Sequence, residues 1–211
     1  MIQTPWGYDI RAQSMPQMMT TVEFMEATGG KFANDGRIRH AIASAESSIR
    51  AYVGWHLART AECSMVVNAG NLHQSRRDDT LIQLPTKFLT DVTKVLLNAK
   101  KVDGEWTGDE AEFEYERNGM LTVYGCGNAD RRSKIYIEFV SGLPDNAIAD
   151  VKEIVAHMAS HGLAKSFGIQ SESTGGVSVT YSATWAGTAS SSTLTDEIKA
   201  ALAPHRIQGV L

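Results

Sequence analysis

Apolar residues recur at helical spacing in two stretches of the chain and at alternate positions in several others. Ile38, Ile42, Ala45, Ile49 and Tyr52 or Val53 stand three or four apart, the spacing that lines one face of an α-helix. Asn34 or Asp35 can cap that helix and Gly54 can stop it, with Arg37, Arg39, Glu46 and Arg50 on its polar side. A second, longer stripe of Ile148, Val151, Ile154 or Val155, Met158 and Leu163 follows Pro144 and Asp145 and ends near Ser166. Short helices are expected over residues 22–27, broken by Gly29-Gly30, and through Ile198, Leu202 and Ala203. Thr193 or Thr195 caps the latter and Pro204 ends it.

Between the two long helices the period changes. Residues 62–67, 80–84, 92–102 and 134–140 carry the alternation of half-buried strands, the last with Ile135, Ile137 and Phe139 on one face and Ser141-Gly142 closing it. Asp103-Gly104 and Asn118-Gly119 supply the positive φ that type I′ hairpin turns demand. The second is flanked by Phe113 and Tyr115 on one side and Leu121 and Val123 on the other. Residues 1–18 lack either period and read as an extended arm that orders on a partner. Residues 170–193 are rich in Ser, Thr and Gly yet hold Val177, Val179, Tyr181 and Trp185 in alternation, a mobile segment with strand potential.

The expected fold is therefore α+β, a small helical core of two long amphipathic helices plus short terminal helices, with an inserted antiparallel β-hairpin region. The expected divisions are an N-terminal arm over 1–18, a helical core over 19–60 and 143–166, a β region over 61–142, and a C-terminal arm with a terminal helix over 167–211.

At 211 residues, 43% hydrophobic and 21% charged, the chain can bury a core without staples. A net charge of −4 offers no basic field to hold nucleic acid. Arg76-Arg77 and Arg131-Arg132 with Lys134 are short clusters interleaved with Asp78, Asp79 and Asp130, as in solvated loops. Cys63 and Cys126 lack close-spaced partners and are expected to be reduced thiols. No apolar h-region or bilayer-length segment is visible, so an intracellular product without a membrane anchor is expected.

Candidate chemistry is sparse. Glu153, His157 and His161 share one side of the second long helix and in principle could grip a metal for hydrolysis, but a zinc protease would want Glu where Met158 stands. Gly125-Cys126-Gly127 makes a bend, and Cys126 has no histidine partner in sequence. Trp55, at the exit of the first long helix, is a candidate lock that fixes the following turn into the core. Trp185 sits where a large ring has little local core to enter, which makes it a candidate intermolecular contact. No catalytic residue and no cofactor are expected.

The order of these pieces resembles the head-to-tail connector (adaptor, or head-completion) family of tailed bacteriophages. Residues 38–56, IRHAIASAESSIRAYVGWH, are similar to the family's first major helix and its aromatic exit, with Val53 where a Cys is often found. Leu84-Pro85, Val102-Asp103-Gly104 and residues 115–121, YERNGML, resemble its inserted hairpins; residues 135–145 resemble its return to the helical core, and 172–181 with 202–206 its C-terminal arm. The resemblance implies a structural virion protein, not an enzyme, that forms a ring, typically twelvefold, in the neck beneath the portal of the DNA-filled head. Such a ring extends the DNA channel, lies close to packaged duplex DNA without reading it, and offers a dock for the stopper or tail-completion protein. It is made in the host cytoplasm and ends in the virion. The C-terminal arm would engage the portal, implicating Tyr181, Trp185, Ile198 and Leu202, and the β region would pack against neighbours. Another neck ring, a stopper or tail-completion protein, is the nearest alternative.

Overall fold

The computed structural model describes residues 1–32, 36–71, 79–126, 133–164, 171–174, 177–180 and 194–207. Among them, strands outnumber helices. The elements run β1 (Ile2–Gln3), β2 (Asp9–Ile10), α1 (Thr21–Ala27), α2 (Gly36–Val53), β3 (Ala61–Asn68), β4 (Thr80–Gln83), β5 (Leu89–Val102), β6 (Glu105–Glu110), β7 (Phe113–Tyr115), β8 (Met120–Val123), β9 (Lys134–Ser141), α3 (Ala149–Ala164), β10 (Ser171–Thr174), β11 (Val177–Thr180) and α4 (Asp196–Leu202). By contact the chain divides into a first unit of Met1–Gln17, Arg50–Ile148 and Ala203–Leu211 and a second of Met18–Ile49 and Ala149–Leu202.

The first unit overturns the expectation of a helical core with an inserted hairpin region. Nine strands form two antiparallel sheets, one ordered β1-β2-β3-β9-β5-β6 and the other β4-β8-β7. The long central ladder joins β3 to β9 from Ala61↔Ser141 to Asn68↔Lys134, and β9 also pairs with β5. These partners are distant in sequence, so no local turn announces them. The stretch before β3 joins too: Ile2 pairs with Ile10, and Ile10 with Cys63. Two-residue strands are too short to show a period, which is why residues 1–18 read as an unpatterned arm.

Both sheets turn apolar side chains into one core. Ile10, Cys63, Val92, Val95, Ile135, Ile137 and Phe139 from the larger sheet cluster with Ile82, Leu121 and Val123 from the smaller. β5 also feeds the opposite face. A register shift between Leu97 and Lys100, with Asn98 at φ 51°, brings Leu96 and Ala99 into a second small cluster with Tyr136. Irregularities of this kind break strict alternation and bend the strand.

The two hairpin turns differ. Val102↔Glu105 closes a two-residue loop in which Asp103 and Gly104 both have positive φ, 50° and 91°, as type I′ requires. At Asn118-Gly119 only the glycine does, at φ 90°. Gly119 N donates to Glu116 O at 3.0 Å and Glu116 N to Met120 O at 2.8 Å, a type I turn followed by a glycine bulge and not the expected type I′.

The second unit holds the helices. Ile38, Ile42, Ala45 and Ile49 of α2 are buried, as are Val151, Val155 and Met158 of α3, so the helical stripes read from the sequence are the ones that pack. Thr20 and Glu23 form a reciprocal capping box on α1, and Lys152 Nζ bridges to Glu23 Oε1 at 2.7 Å. Partial burial pushes the Glu23 carboxyl up, but its hydrogen bonds with Lys152 and Thr20 outweigh this and hold it at about 2. Glu46 does not sit on a solvated face as expected; it is buried, and its Oε1 accepts the backbone N–H groups of Met18 at 2.7 Å and Met19 at 3.0 Å. A buried carboxylate persists where such donors replace water.

Candidate interaction surfaces

The exit of α2 is the most tightly determined part of the first unit. Gly54, at φ 81°, ends the helix and Trp55 follows, fully buried, donating Nε1–H to His205 O at 2.8 Å. Ile207 N donates to Val53 O at 2.9 Å, and the Arg206 guanidinium lies 5.1 Å over the Tyr52 ring. Residues 205–207 thus fasten to the helix exit through backbone, indole and cation–π contacts.

His56, also fully buried, is the hydrogen-bonding centre of this exit. Its Nε2 lies 3.0 Å from Ser141 O, which can only accept, so Nε2 carries the proton and Nδ1 accepts the Tyr8 hydroxyl at 2.7 Å. Tyr8 Oη in turn accepts the His56 backbone N–H at 3.0 Å. Burial drives the His56 imidazole down to about 4 against the Ser141 hydrogen bond, with the nearby Arg50 charge adding to the fall. Burial likewise pushes the Tyr8 phenol above its ordinary value. Arg50 is buried here, not solvated: Nε donates to His56 O at 3.2 Å and Nη2 to Pro16 O. His56 stands 48 residues from Tyr8 and 85 from Ser141, so no sequence window brings the three together.

The cysteines are free and buried. Burial raises the Cys63 thiol to about 11 and also raises that of Cys126, so neither is poised as a thiolate nucleophile. His157 and His161 lie on the exposed side of α3 with ring centroids 6.2 Å apart, and Glu153 is exposed as well. Among the described residues no three His, Cys, Asp or Glu side chains are grouped so as to hold a metal. No helix among those residues is long and apolar enough to cross a membrane.

Of the candidate partner contacts, Tyr181 and Trp185 lie outside the described residues. Ile198 is half-buried on α4, where Thr195 Oγ1 accepts the Ile198 N–H at 3.3 Å, and Leu202 is fully buried. What the first unit does present to solvent is strand edge. β6 ends the larger sheet and β7 the smaller, and residues 103–116 hold seven acids and no base, all seven exposed. Charged edges of this kind resist indiscriminate pairing while leaving backbone groups available to a complementary partner.

The first unit is thus mostly β with solvent-facing edges, and the second carries α1, α3, α4 and most of α2. The chain belongs to the head completion protein family, whose model matches residues 17–207. The sequence-based resemblance to that family is therefore correct, although the fold expected from the hydrophobic pattern was too helical. The structure is similar to a chain from the neck of an empty GTA particle computed with C6 symmetry, at 14% identity and a TM-score of 0.58, covering 97% of each chain. It is also similar to a chain from the virion of a native gene transfer agent (GTA) particle, at 15% identity and a TM-score of 0.52, covering 77% of this chain and 87% of that one. At such identities the likeness is one of fold. No curated protein sequence matches the chain.

Proposed function

We propose that the protein is a structural, non-enzymatic subunit of the neck of a phage or phage-like particle, where it forms a ring that joins the portal of the filled head to the stopper or tail. The observation that carries this reading is the family match over residues 17–207, supported by a fold shared along 97% of the chain with a neck protein. Six and twelve subunits both satisfy the C6 symmetry of that neck, and twelve is the number the family resemblance favours. The ring would lie around packaged DNA, and the virion would be the protein's final location. The C-terminal arm, residues 167–211, would face the portal, with Tyr181, Trp185 and Ile198 in contact and Leu202 anchoring α4.

Electron microscopy of the protein mixed with portal-bearing, DNA-filled heads tests the reading. A ring stacked coaxially on the portal is expected, and Trp185→Ala should weaken its attachment. A protein that binds no heads and stays monomeric would refute it. Attachment only to heads already carrying another neck ring would instead favour a stopper or tail-completion role.

A further inference from the structure

On the outer face of the larger sheet, Trp106 of β6 stacks on Tyr136 of β9 with ring centroids 5.0 Å apart and planes 17° off parallel. The ring covers Leu96, Ala99 and Tyr136, which are otherwise the wall of a hydrophobic face without a second sheet. Beside it opens a cleft of about 650 Å³, lined by Asn98, Ala99, Lys100, Lys101, Trp106, Ser133 and Lys134. Its charged side chains are all basic. Lys100, Lys101 and Lys134 are exposed and make no ion pair among the described residues. Lys101, paired with Trp106, and Lys134, two residues before Tyr136, stand on the aromatic face, Lys100 also lines the cleft, and no acid is among the lining residues. Such a lining suits an anionic partner with apolar side chains.

The same unit carries a segment of that chemistry. In residues 112–116, Glu112, Glu114 and Glu116 alternate with Phe113 and Tyr115, and all three carboxylates are exposed. β7 within it is the free edge of the smaller sheet, and Tyr115 is 39% exposed. Neither set satisfies the other within the chain. Two complementary patches at different places on one surface make a head-to-tail contact, which closes into a ring when the rotation between copies allows.

We propose that the cleft at Lys100, Lys101, Lys134 and Trp106 receives the acidic edge segment 112–116 of a second copy, and that this contact sets the order of subunits around the ring. The inference rests on the ring reading above and names the surface that makes it.

The test measures self-association of the full chain by sedimentation and native mass spectrometry. Raising salt from about 50 to about 500 mM should weaken assembly, because both patches are solvent-screened. K100E/K101E and E112K/E116K should each weaken it by at least about tenfold, since each sets like charges against each other. Mixing the two double variants should restore assembly, because every junction in the mixture is again complementary, and circular dichroism melting shows that each variant is folded. Should a variant unfold, K100Q/K101Q and E112Q/E116Q replace it and should weaken assembly in the same direction. Wild-type assembly with both variants assembling equally well would overturn the inference while leaving the ring reading in place. A wild type that is monomeric under every condition and on heads would overturn both. Loss of retention on a DNA duplex by K100E/K101E, with self-association unchanged, would overturn it in favour of a phosphate-facing cleft.

Discussion

Acidification should unlock the first unit through His56 before the Glu23 carboxyl matters. Protonation would place a second N–H against Tyr8 Oη, which already accepts the His56 backbone N–H, and leave the phenolic proton without its acceptor. It would also set a cation beside Arg50, whose Nε lies 3.2 Å from His56 O. The folded imidazole is held at about 4, below its ordinary 6.5. A group whose folded value is depressed contributes stability fully above its unfolded value, and that contribution is lost as the pH falls from 6.5 towards 4. Linkage over that interval gives about 2 kcal/mol lost by pH ~5 and about 3 by pH ~4. Glu23, held at about 2, begins to matter only below its ordinary 4.5, so the interval above about pH 5 isolates the histidine.

The assay is urea unfolding followed by tryptophan fluorescence at pH 7 and pH 5, on the wild type and on His56→Gln. Trp6, Trp55 and Trp106 all report from the first unit. The wild-type midpoint should fall by about 1 M for a slope near 2 kcal/mol per molar urea. His56→Gln should be weaker at pH 7 but nearly insensitive to the change, since glutamine cannot titrate there. Equal losses in both proteins would refute the buried neutral histidine.

Four further substitutions probe the packing of the two units. Trp55→Ala removes a fully buried ring and the hydrogen bond to His205 O, which should cost about 3 to 5 kcal/mol in a chemical melt. Gly119→Ala places a Cβ 2.5 Å from Thr86 O at a φ of 90° and should cost about 2 kcal/mol or more, whereas Gly104→Ala, with open space around it, should cost about 1; thermal melts compare them directly. Glu46→Ala strands the N–H groups of Met18 and Met19 and should destabilise the second unit by about 2 to 3 kcal/mol, seen as faster hydrogen exchange in α1 and α2.

The helices were legible because their information is local. Ile38, Ile42, Ala45 and Ile49 define a face within one window, and Gly54 marks its end. The sheets were not, because their defining contacts are not local. β3 pairs with β9 across the whole of β4 to β8, and β5 carries register shifts that scramble its alternation. Strands were recognised one by one, but nothing in a sliding window says that they close into the dominant core. The polar residues erred for the same reason. Glu46 and Arg50 fall on the hydrophilic side of α2 by angle, yet both are buried because backbone from residues 16–19 supplies their partners.

Net charge was the weakest guide to function, and its distribution is the better one. A total of −4 suggests a mildly acidic molecule that lets DNA slide past. The seven acids of residues 103–116 more than account for that total, leaving the rest of the chain slightly positive. They are concentrated on β6, β7 and the link between them, where sheets end, while Lys100, Lys101 and Lys134 line the cleft beside Trp106. A surface evenly acidic would repel both DNA and its own copies. One that segregates its charges onto an edge and a cleft offers a second copy the complementary pair of patches that the proposed contact requires.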